Sequence, residues 1–178
     1  DIPSKYELVA EPENKNGTMT ENEITVIYYY RKKATQVIVH YYEENTIKKL
    51  SEDVIINGRV DDKYTTISAI DIPIKYELVA TPSNANGSMT EATMEVIYYY
   101  RVKDAVVNVR YLEKGTEKVL AEPDRIDGKV DENYQTIAKE IEGYKLIEHT
   151  GNENGKFEVK PLTITYYYLY KTKATVQY

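Results

Sequence analysis

The sequence predicts an α+β fold that is built as a tandem repeat. Three runs of three tyrosines begin at Tyr28, Tyr98 and Tyr166, which are 70 and 68 residues apart, and each run follows an apolar segment of β-strand type. Residues 1–33 and 71–103 are identical at 23 positions. Self-similarity at a fixed period is the signature of a repeat architecture, and strands combined with one helix per copy define the α+β class.

Composition excludes several classes of partner. The 178 residues carry 23 Lys and Arg against 29 Asp and Glu, which gives a net charge of −6. Nucleic acids and anionic membranes both attract clustered cations, so neither is expected as a partner. The chain has no cysteine, which excludes disulfides and thiolate metal sites. No run approaches the roughly 20 apolar residues that cross a bilayer, so no membrane insertion is expected.

The opening strand of each copy alternates between two faces. This period of two, with β-branched and aromatic residues, predicts a half-buried strand over Thr35–Tyr42 and over its counterpart in the next copy. The predicted core face consists of Val37, Val39 and Tyr41 in one copy and of Val107, Val109 and Tyr111 in the other. Return strands are predicted over Thr46–Leu50 and Thr116–Leu120, after polar turn residues.

A turn and a short helix are predicted next. Gly58 allows a sharp turn, and Asp61 is suited to cap the N-terminus of a helix of about eight residues. Val60, Tyr64 and Ile67 fall at helical spacing, so the helix would lay one apolar stripe on the sheet. The residues that repeat this pattern in the next copy are Gly128, Val130, Asp131 and Tyr134.

Two further strands complete each copy. They begin with Lys75–Ala80 and Tyr144–Glu148, and Asn-x-Asn-Gly segments follow, where Asn-Gly favours a chain reversal. In the closing strand, the first and third tyrosines of each run share a face with apolar residues, so they are predicted to be buried. The order within a copy is therefore β-β-α-β-β, a sheet with one helix on one face.

At these residues the sequence resembles the MucBP (mucin-binding protein) repeat of Gram-positive cell-surface proteins. The matching motifs are the opening V-x-V-x-Y strand, G-x-V-D-x-x-Y, the strand from Gly143 to Leu146, and N-x-N-G followed by V-x-Y-x-Y. One copy departs from the pattern at Ile74–Tyr76, where Gly-Tyr is usual. The resemblance implies a ubiquitin-like β-grasp fold with parallel, adjacent first and last strands. It also implies an extracellular, cell-wall-attached protein that adheres to mucin or other host glycans.

The resemblance extends over the whole chain. Residues 1–33 correspond to the C-terminal half of a preceding repeat, residues 34–103 and 104–171 to complete repeats, and residues 172–178 to the first strand of a following repeat. In a β-grasp unit the termini emerge at opposite poles. Because the linkers between copies are short, such units are predicted to be arranged end to end as an elongated rod.

Catalysis and cofactor binding are not predicted. The only histidines are His40 and His149, and neither recurs in the other copy. A repeat array rarely places one active site in a single repeat, so these are interpreted as surface-strand residues rather than as catalytic groups. The Asn-x-Asn-Gly segments lack the carboxylates of a calcium loop, so no metal is expected there.

The middle tyrosines Tyr29, Tyr99 and Tyr167 project to the face opposite the predicted core. Exposed rings can stack against sugars, and Arg31 and Arg101 can pair with sialic or sulfated groups, so these five residues are the candidate ligand contacts. The rings can also be cross-strand partners that cover an open sheet face. Two functions stay open: an adhesin repeat that binds glycans, and a passive stalk that presents a distal adhesive domain.

Residues 1–33 hold two strands of a repeat without its opening strand. Their apolar residues, among them Leu8 and Val26, are expected to form a face that needs a cover. The predicted cover is a preceding chain segment or the strand Ala174–Tyr178 of a neighbouring molecule. The second possibility would be head-to-tail strand pairing between chains.

Overall fold

The computed structural model describes residues 1–172, so residues 174–178, for which a strand was predicted, lie outside the described residues. All the regular secondary structure in the described residues is β-strand. The strands are β1 (Tyr6–Ala10), β2 (Tyr29–Lys32), β3 (Ala34–Glu43), β4 (Val54–Arg59), β5 (Lys63–Thr65), β6 (Tyr76–Leu78), β7 (Asn86–Ser88), β8 (Met94–Val102), β9 (Asp104–Glu113), β10 (Asp124–Lys129), β11 (Asn133–Gln135), β12 (Tyr144–Thr150), β13 (Asn154–Lys156) and β14 (Leu162–Tyr170).

The chain divides into two compact units. The first unit contains Asp1–Ile72 and Leu78–Tyr100, and the second contains Pro73–Glu77 and the chain from Arg101 onward. The strands form two four-stranded sheets, in the orders β4-β3-β8-β6 and β10-β9-β14-β12. Three two-stranded sheets, β1-β2, β5-β7 and β11-β13, account for the other described strands.

The opening and closing strands of each four-stranded sheet are parallel neighbours. β3 and β8 stay paired from Val37 opposite Met94 to Glu43 opposite Tyr100. β9 and β14 are paired in the same way. This is the parallel arrangement that the family resemblance implied. β4 and β10 are antiparallel to the opening strands and lie at the sheet edges.

The core faces predicted from the alternation are confirmed. Val37, Val39 and Tyr41 are at most 3% exposed, and their counterparts in the second unit are equally buried. The first and third tyrosines of the two later runs are buried as well; they are Tyr98, Tyr100, Tyr166 and Tyr168. Each core therefore consists largely of valine and tyrosine from the opening and closing strands.

The buried tyrosines keep polar partners for their hydroxyl groups. Tyr98 Oη lies 2.9 Å from Thr66 Oγ1, and Ala69 N donates a hydrogen bond to Tyr100 Oη at 2.9 Å. In the second unit, Thr136 Oγ1 lies 2.8 Å from Tyr166 Oη, and Tyr168 Oη donates a hydrogen bond to the main-chain oxygen of Lys139 at 2.8 Å. An unpartnered hydroxyl in a core destabilises the fold, so these bonds fix the segment between β5 and β6 on the sheet.

The predicted helix is wrong, and the fold is β-rich rather than α+β: residues 1–172 contain no helix. Asp61 has a φ of 70°, which makes it a turn residue rather than a helix cap. The chain continues into β5, which pairs with β7. Val60 and Tyr64 are buried, but Ile67 is 70% exposed, so no helical stripe exists. The β-branched run Thr65–Ile67 favours extended backbone, and pairing with a distant segment stabilises it.

The residues predicted as a turn at Gly58 lie inside β4. A Cβ atom at Gly58 would come within 2.5 Å of Met89 Sδ, and one at Gly128 within 2.3 Å of Phe157 Cε2. Because these two glycines have no Cβ atom, Met89 can pack directly against the backbone of β4, and Phe157 can pack directly against that of β10. The return strands predicted before them are each reduced to one bridge, Tyr42 with Lys49 and Leu112 with Val119.

The N-terminal half-repeat forms the hairpin β1-β2 in the first unit. Its closing strand begins only at Tyr29, and the preceding Tyr28 is 45% exposed, unlike the buried first tyrosines of the later runs. In the described residues β2 pairs with β1 alone, whereas β8 also pairs with its parallel opening strand β3. Head-to-tail pairing between chains stays a prediction.

Candidate functional site

The three candidate tyrosines lie on different strands. Tyr29 is in β2, Tyr99 in β8 and Tyr167 in β14, and these strands belong to three different sheets. Strand alternation places each ring on the face opposite the core. Tyr29 is 67% exposed and Tyr99 is 42% exposed, whereas Tyr167 is half-buried. No sheet therefore contains two of the three candidate tyrosines.

Tyr99 forms one wall of a small surface hollow of about 350 Å³, whose other lining residues are Glu44, Asn45 and Thr46. Asn45 has a φ of 59°, which turns the chain after β3, and Glu44 N donates a hydrogen bond to Tyr100 O at 2.7 Å. This bond holds the turn against the closing strand. The Tyr99 hollow thus combines an aromatic face with a carboxylate, an amide and a hydroxyl, which are groups that bind sugar hydroxyls.

Glu44, Asn45 and Thr46 were not among the residues predicted to contact a ligand. The sequence identified this stretch only as a turn. Its position beside Tyr99 depends on the parallel pairing of β3 with β8, which places the end of the opening strand next to the tyrosine run. The family resemblance implies this parallel pairing, so it could have predicted that these three residues lie beside Tyr99. Composition and strand alternation could not.

Tyr167 has a different environment from Tyr99. Lys114 Nζ lies 4.7 Å from the centroid of the Tyr167 ring and also pairs with the Glu148 carboxylate. The hydrogen bond with Glu148 raises the pKa of Lys114, so the amine stays charged. Lys114 occupies the place that Glu44 holds in the first unit. The Tyr167 ring is therefore covered by a cation of its own chain.

The candidate arginines are engaged in cross-strand ion pairs. Arg31 Nε donates to Glu7 Oε1 at 2.7 Å, and Arg101 Nε donates to Glu77 Oε1 at the same distance. Glu7 lies directly opposite Arg31 in the β1-β2 ladder. An acidic sugar would have to compete with these carboxylates for the guanidinium groups. The pairs were not predicted, because they depend on strand register.

The histidines do not form a shared site. His40 Nδ1 lies 2.9 Å from Asp53 Oδ1, and His149 Nδ1 lies 3.2 Å from Gly151 O. Burial raises the pKa of the Asp53 carboxyl, but its close contacts with His40 and Lys49 outweigh burial and lower that pKa. Within residues 1–172, no group of three or more histidine and acidic side chains could hold a metal ion. The same part of the chain contains no helix long and apolar enough to cross a membrane.

Comparison with known proteins agrees with the repeated strand pattern. The MucBP domain family model matches residues 1–31, 36–101 and 106–169. The chain is 36% identical over 175 residues to internalin J of Listeria monocytogenes serovar 1/2a, and this match covers 94% of the chain and 20% of that protein. Internalin I of the same strain is 26% identical over 171 residues, covering 90% of the chain and 9% of that protein. The chain thus spans a fifth or less of these curated relatives.

Two solved structures are also similar. The type 2 repeat of the mucus binding protein MUB from Lactobacillus reuteri has 15% identity and a TM-score of 0.30, covering 77% of this chain and 100% of that one. Streptococcal High Identity Repeats in Tandem domains 3-4 from a cell surface protein have 8% identity and a TM-score of 0.33, covering 76% and 98%. The MucBP domain family model matches most of the sequence, and this chain therefore belongs to the MucBP domain family.

Proposed function

We propose that this chain is a repeat segment of an extracellular, cell-wall-attached adhesin and that it binds mucin-type or other host glycans. Membership of the MucBP family, which is named for mucin binding, supports this function. The observation that carries the proposal to particular residues is the Tyr99 hollow, where an exposed ring meets Glu44, Asn45 and Thr46. An aromatic face against a sugar ring, with polar groups at its rim, is a chemistry that recognises glycans.

The hollow favours a neutral sugar over an acidic one. Its one charged side chain is the Glu44 carboxylate, which accepts hydrogen bonds from sugar hydroxyls and repels sialic or sulfated groups. Arg101, which could attract such groups, is held by Glu77. Acidic sugars are therefore proposed to bind only where they displace Glu7 from Arg31 or Glu77 from Arg101.

Binding to immobilised mucin, measured by biolayer interferometry, tests the proposal. Tyr99→Ala is expected to weaken binding about five- to tenfold, since an aromatic contact contributes about 1 kcal/mol. Tyr167→Ala is the matched control, and its effect is expected to be smaller because Lys114 already covers that ring. Replacing Tyr29, Tyr99 and Tyr167 together should abolish binding without lowering the melting temperature, since these rings lie outside the core.

The alternative function is the passive stalk. It predicts no detectable mucin binding by the unmodified chain at millimolar repeat concentration, and no effect of the tyrosine substitutions. Mucin binding that is unchanged in the triple variant would also contradict the proposed site, while leaving the adhesin function in place. The first outcome, no binding by the unmodified chain, would contradict the adhesin function. The second outcome, binding that the triple variant keeps, would contradict only the role of these three tyrosines.

A further inference from the structure

The first unit contains an open apolar groove beside the edge strand β4. It has a volume of about 340 Å³. Its walls include Val39, Tyr41, Val54 and Ala69, and its polar groups include the Ser51 hydroxyl and the Asp71 carboxylate. Ser51 Oγ donates to Asp71 at 2.8 Å, so the carboxylate is held in position at the groove. All of these residues belong to the first unit.

The second unit places its own lysine at the equivalent position. Lys139 Nζ lies 4.4 Å from the centroid of the Tyr111 ring and donates to Asp124 Oδ1 at 2.7 Å. It also donates to the main-chain oxygen of Glu122 at 2.9 Å. The lysine thus uses a tyrosine face, a carboxylate and a carbonyl at once. A cation over an aromatic ring is attracted to it, and the carboxylate stabilises the charge.

The two units differ at the two positions that determine whether the chain's own lysine lies over this tyrosine. Ala69 stands where the second unit has Lys139, and Val54 stands where it has Asp124. The tyrosine beneath is otherwise placed alike in both: Tyr41 stacks on its neighbour in β8 at 5.7 Å, and Tyr111 stacks on its neighbour in β14 at 5.8 Å. The first unit therefore has the tyrosine of this lysine site with alanine in place of the lysine, and Tyr41, although only 3% exposed, still lines the groove.

We propose that this groove binds a lysine side chain of a partner protein. The alkyl part of the lysine would lie against the exposed side chain of Val54, where Tyr41 lines the groove, and its ammonium group would pair with Asp71. Burial of the four methylene groups favours entry, and the carboxylate selects an amine over an uncharged side chain. The net charge of −6 also attracts a basic partner.

Titration with a blocked lysine, Nα-acetyl-lysine N-methylamide, followed by ¹H–¹⁵N NMR of the full chain, tests the proposal. Saturable shifts are expected at Val54, Ala69 and Asp71. Nα-acetyl-norleucine N-methylamide has the same alkyl chain without the charge, and it is expected to bind at least about threefold more weakly. Equal affinities for the two probes would overturn the role of Asp71, and shifts confined to other residues would overturn the site.

Variants that exchange the two units give a second test. Val54→Asp with Ala69→Lys installs the lysine and carboxylate of the second unit, and the shifts at the groove are expected to disappear. Conversely, Lys139→Ala should open the second unit's groove and create blocked-lysine binding around Tyr111 and Asp124. Asp71→Asn, at an exposed position, should weaken binding without affecting folding. If the double variant does not fold, Lys139→Ala and Asp71→Asn test the proposal. It would be refuted if Lys139→Ala created no blocked-lysine binding in the second unit and Asp71→Asn left the binding in the first unit unchanged.

Discussion

Lys75 Nζ lies 2.5 Å from Asp131 Oδ2, although the two residues are 56 positions apart in the sequence. Lys5 and Asp61 repeat the contact in the first unit at 2.8 Å and at the same separation. Both aspartates have positive φ, 70° for Asp61 and 73° for Asp131. The residue predicted to cap a helix is thus a turn residue whose carboxylate is paired with a lysine that precedes it by most of one repeat.

The carboxyl groups of these two aspartates should respond differently to loss of their lysine. Only one lysine, Lys75, lowers the pKa of Asp131 through a hydrogen bond, with a smaller effect from the charge of Lys156, whereas Lys5 and Lys32 both lower the pKa of Asp61 through hydrogen bonds. Lys75→Ala is therefore expected to raise the pKa of Asp131 more than Lys5→Ala raises that of Asp61. Carboxyl ¹³C chemical shifts followed against pH measure both values. Equal rises would show that Lys32 does not support Asp61.

Acid should weaken the same contacts. Since the folded pKa of Asp131 is lowered, its contribution to stability is present above the unfolded value near 4 and is lost as pH falls through the folded pKa. The unmodified chain is expected to lose more stability than Asp131→Asn between about pH 5 and pH 2. Urea unfolding at a series of pH values measures the difference, and parallel pH profiles for the two proteins would contradict it.

Gly128→Ala should destabilise the second unit by about 1–3 kcal/mol, the cost of overpacking a core. The added methyl group would lie 2.3 Å from Cε2 of the buried Phe157 ring. Gly58→Ala is the matched variant, and it should cost less because the flexible end of Met89 can move aside. Denaturant unfolding measures both changes. A larger loss at Gly58 would mean that Phe157, rather than Met89, can be repositioned.

Tyr98→Phe should cost about 1 kcal/mol, because it removes the hydroxyl partner of the buried Thr66 side chain. Thr66 Oγ1 also donates to Ala85 O at 3.0 Å, so it keeps one hydrogen bond. Tyr166→Phe makes the same change opposite Thr136 and should have a similar effect. Thermal unfolding compares them. A loss of several kcal/mol at either position would indicate that the ring, and not only its hydroxyl, had moved.

Glu117→Gly should stabilise the turn after β9. Glu117 has a φ of 56°, a conformation that costs a residue with a Cβ atom about 1 kcal/mol relative to glycine. Glu117→Ala removes the same carboxylate but keeps the Cβ atom, so it is expected to bring no gain. Denaturant unfolding of both variants separates the backbone effect from the loss of charge, and equal stabilities would exclude a backbone origin.

Features that depend on local alternation could be predicted from the sequence, and features that depend on register could not. Val37, Val39 and Tyr41 were placed on the core face because a strand alternates with a period of two. The segment after Asp61 was predicted as a helix because Val60, Tyr64 and Ile67 have helical spacing, yet its pairing with β7 outweighs that signal.

The candidate site follows the same division. Exposure of Tyr99 could be predicted from its position between Tyr98 and Tyr100, which are buried, whereas the neighbours of Tyr29 were predicted to be buried and are exposed. The ion pair of Arg101 with Glu77, and the position of Lys114 over Tyr167, depend on which residues face each other across strands. Such contacts have no local sequence pattern, so only the folded chain reveals which rings and cations are already engaged.

The parallel pairing of β3 with β8 has a mechanical consequence. When opposite ends of two parallel neighbours are pulled apart, the force acts along the strands, and all the hydrogen bonds between Val37–Glu43 and Met94–Tyr100 share the load together. An antiparallel hairpin pulled at its open end would instead lose its bonds one by one. Tensile strength in the first unit therefore resides in a shear-loaded ladder, and the force needed to rupture it reports the barrier to unfolding rather than the equilibrium stability.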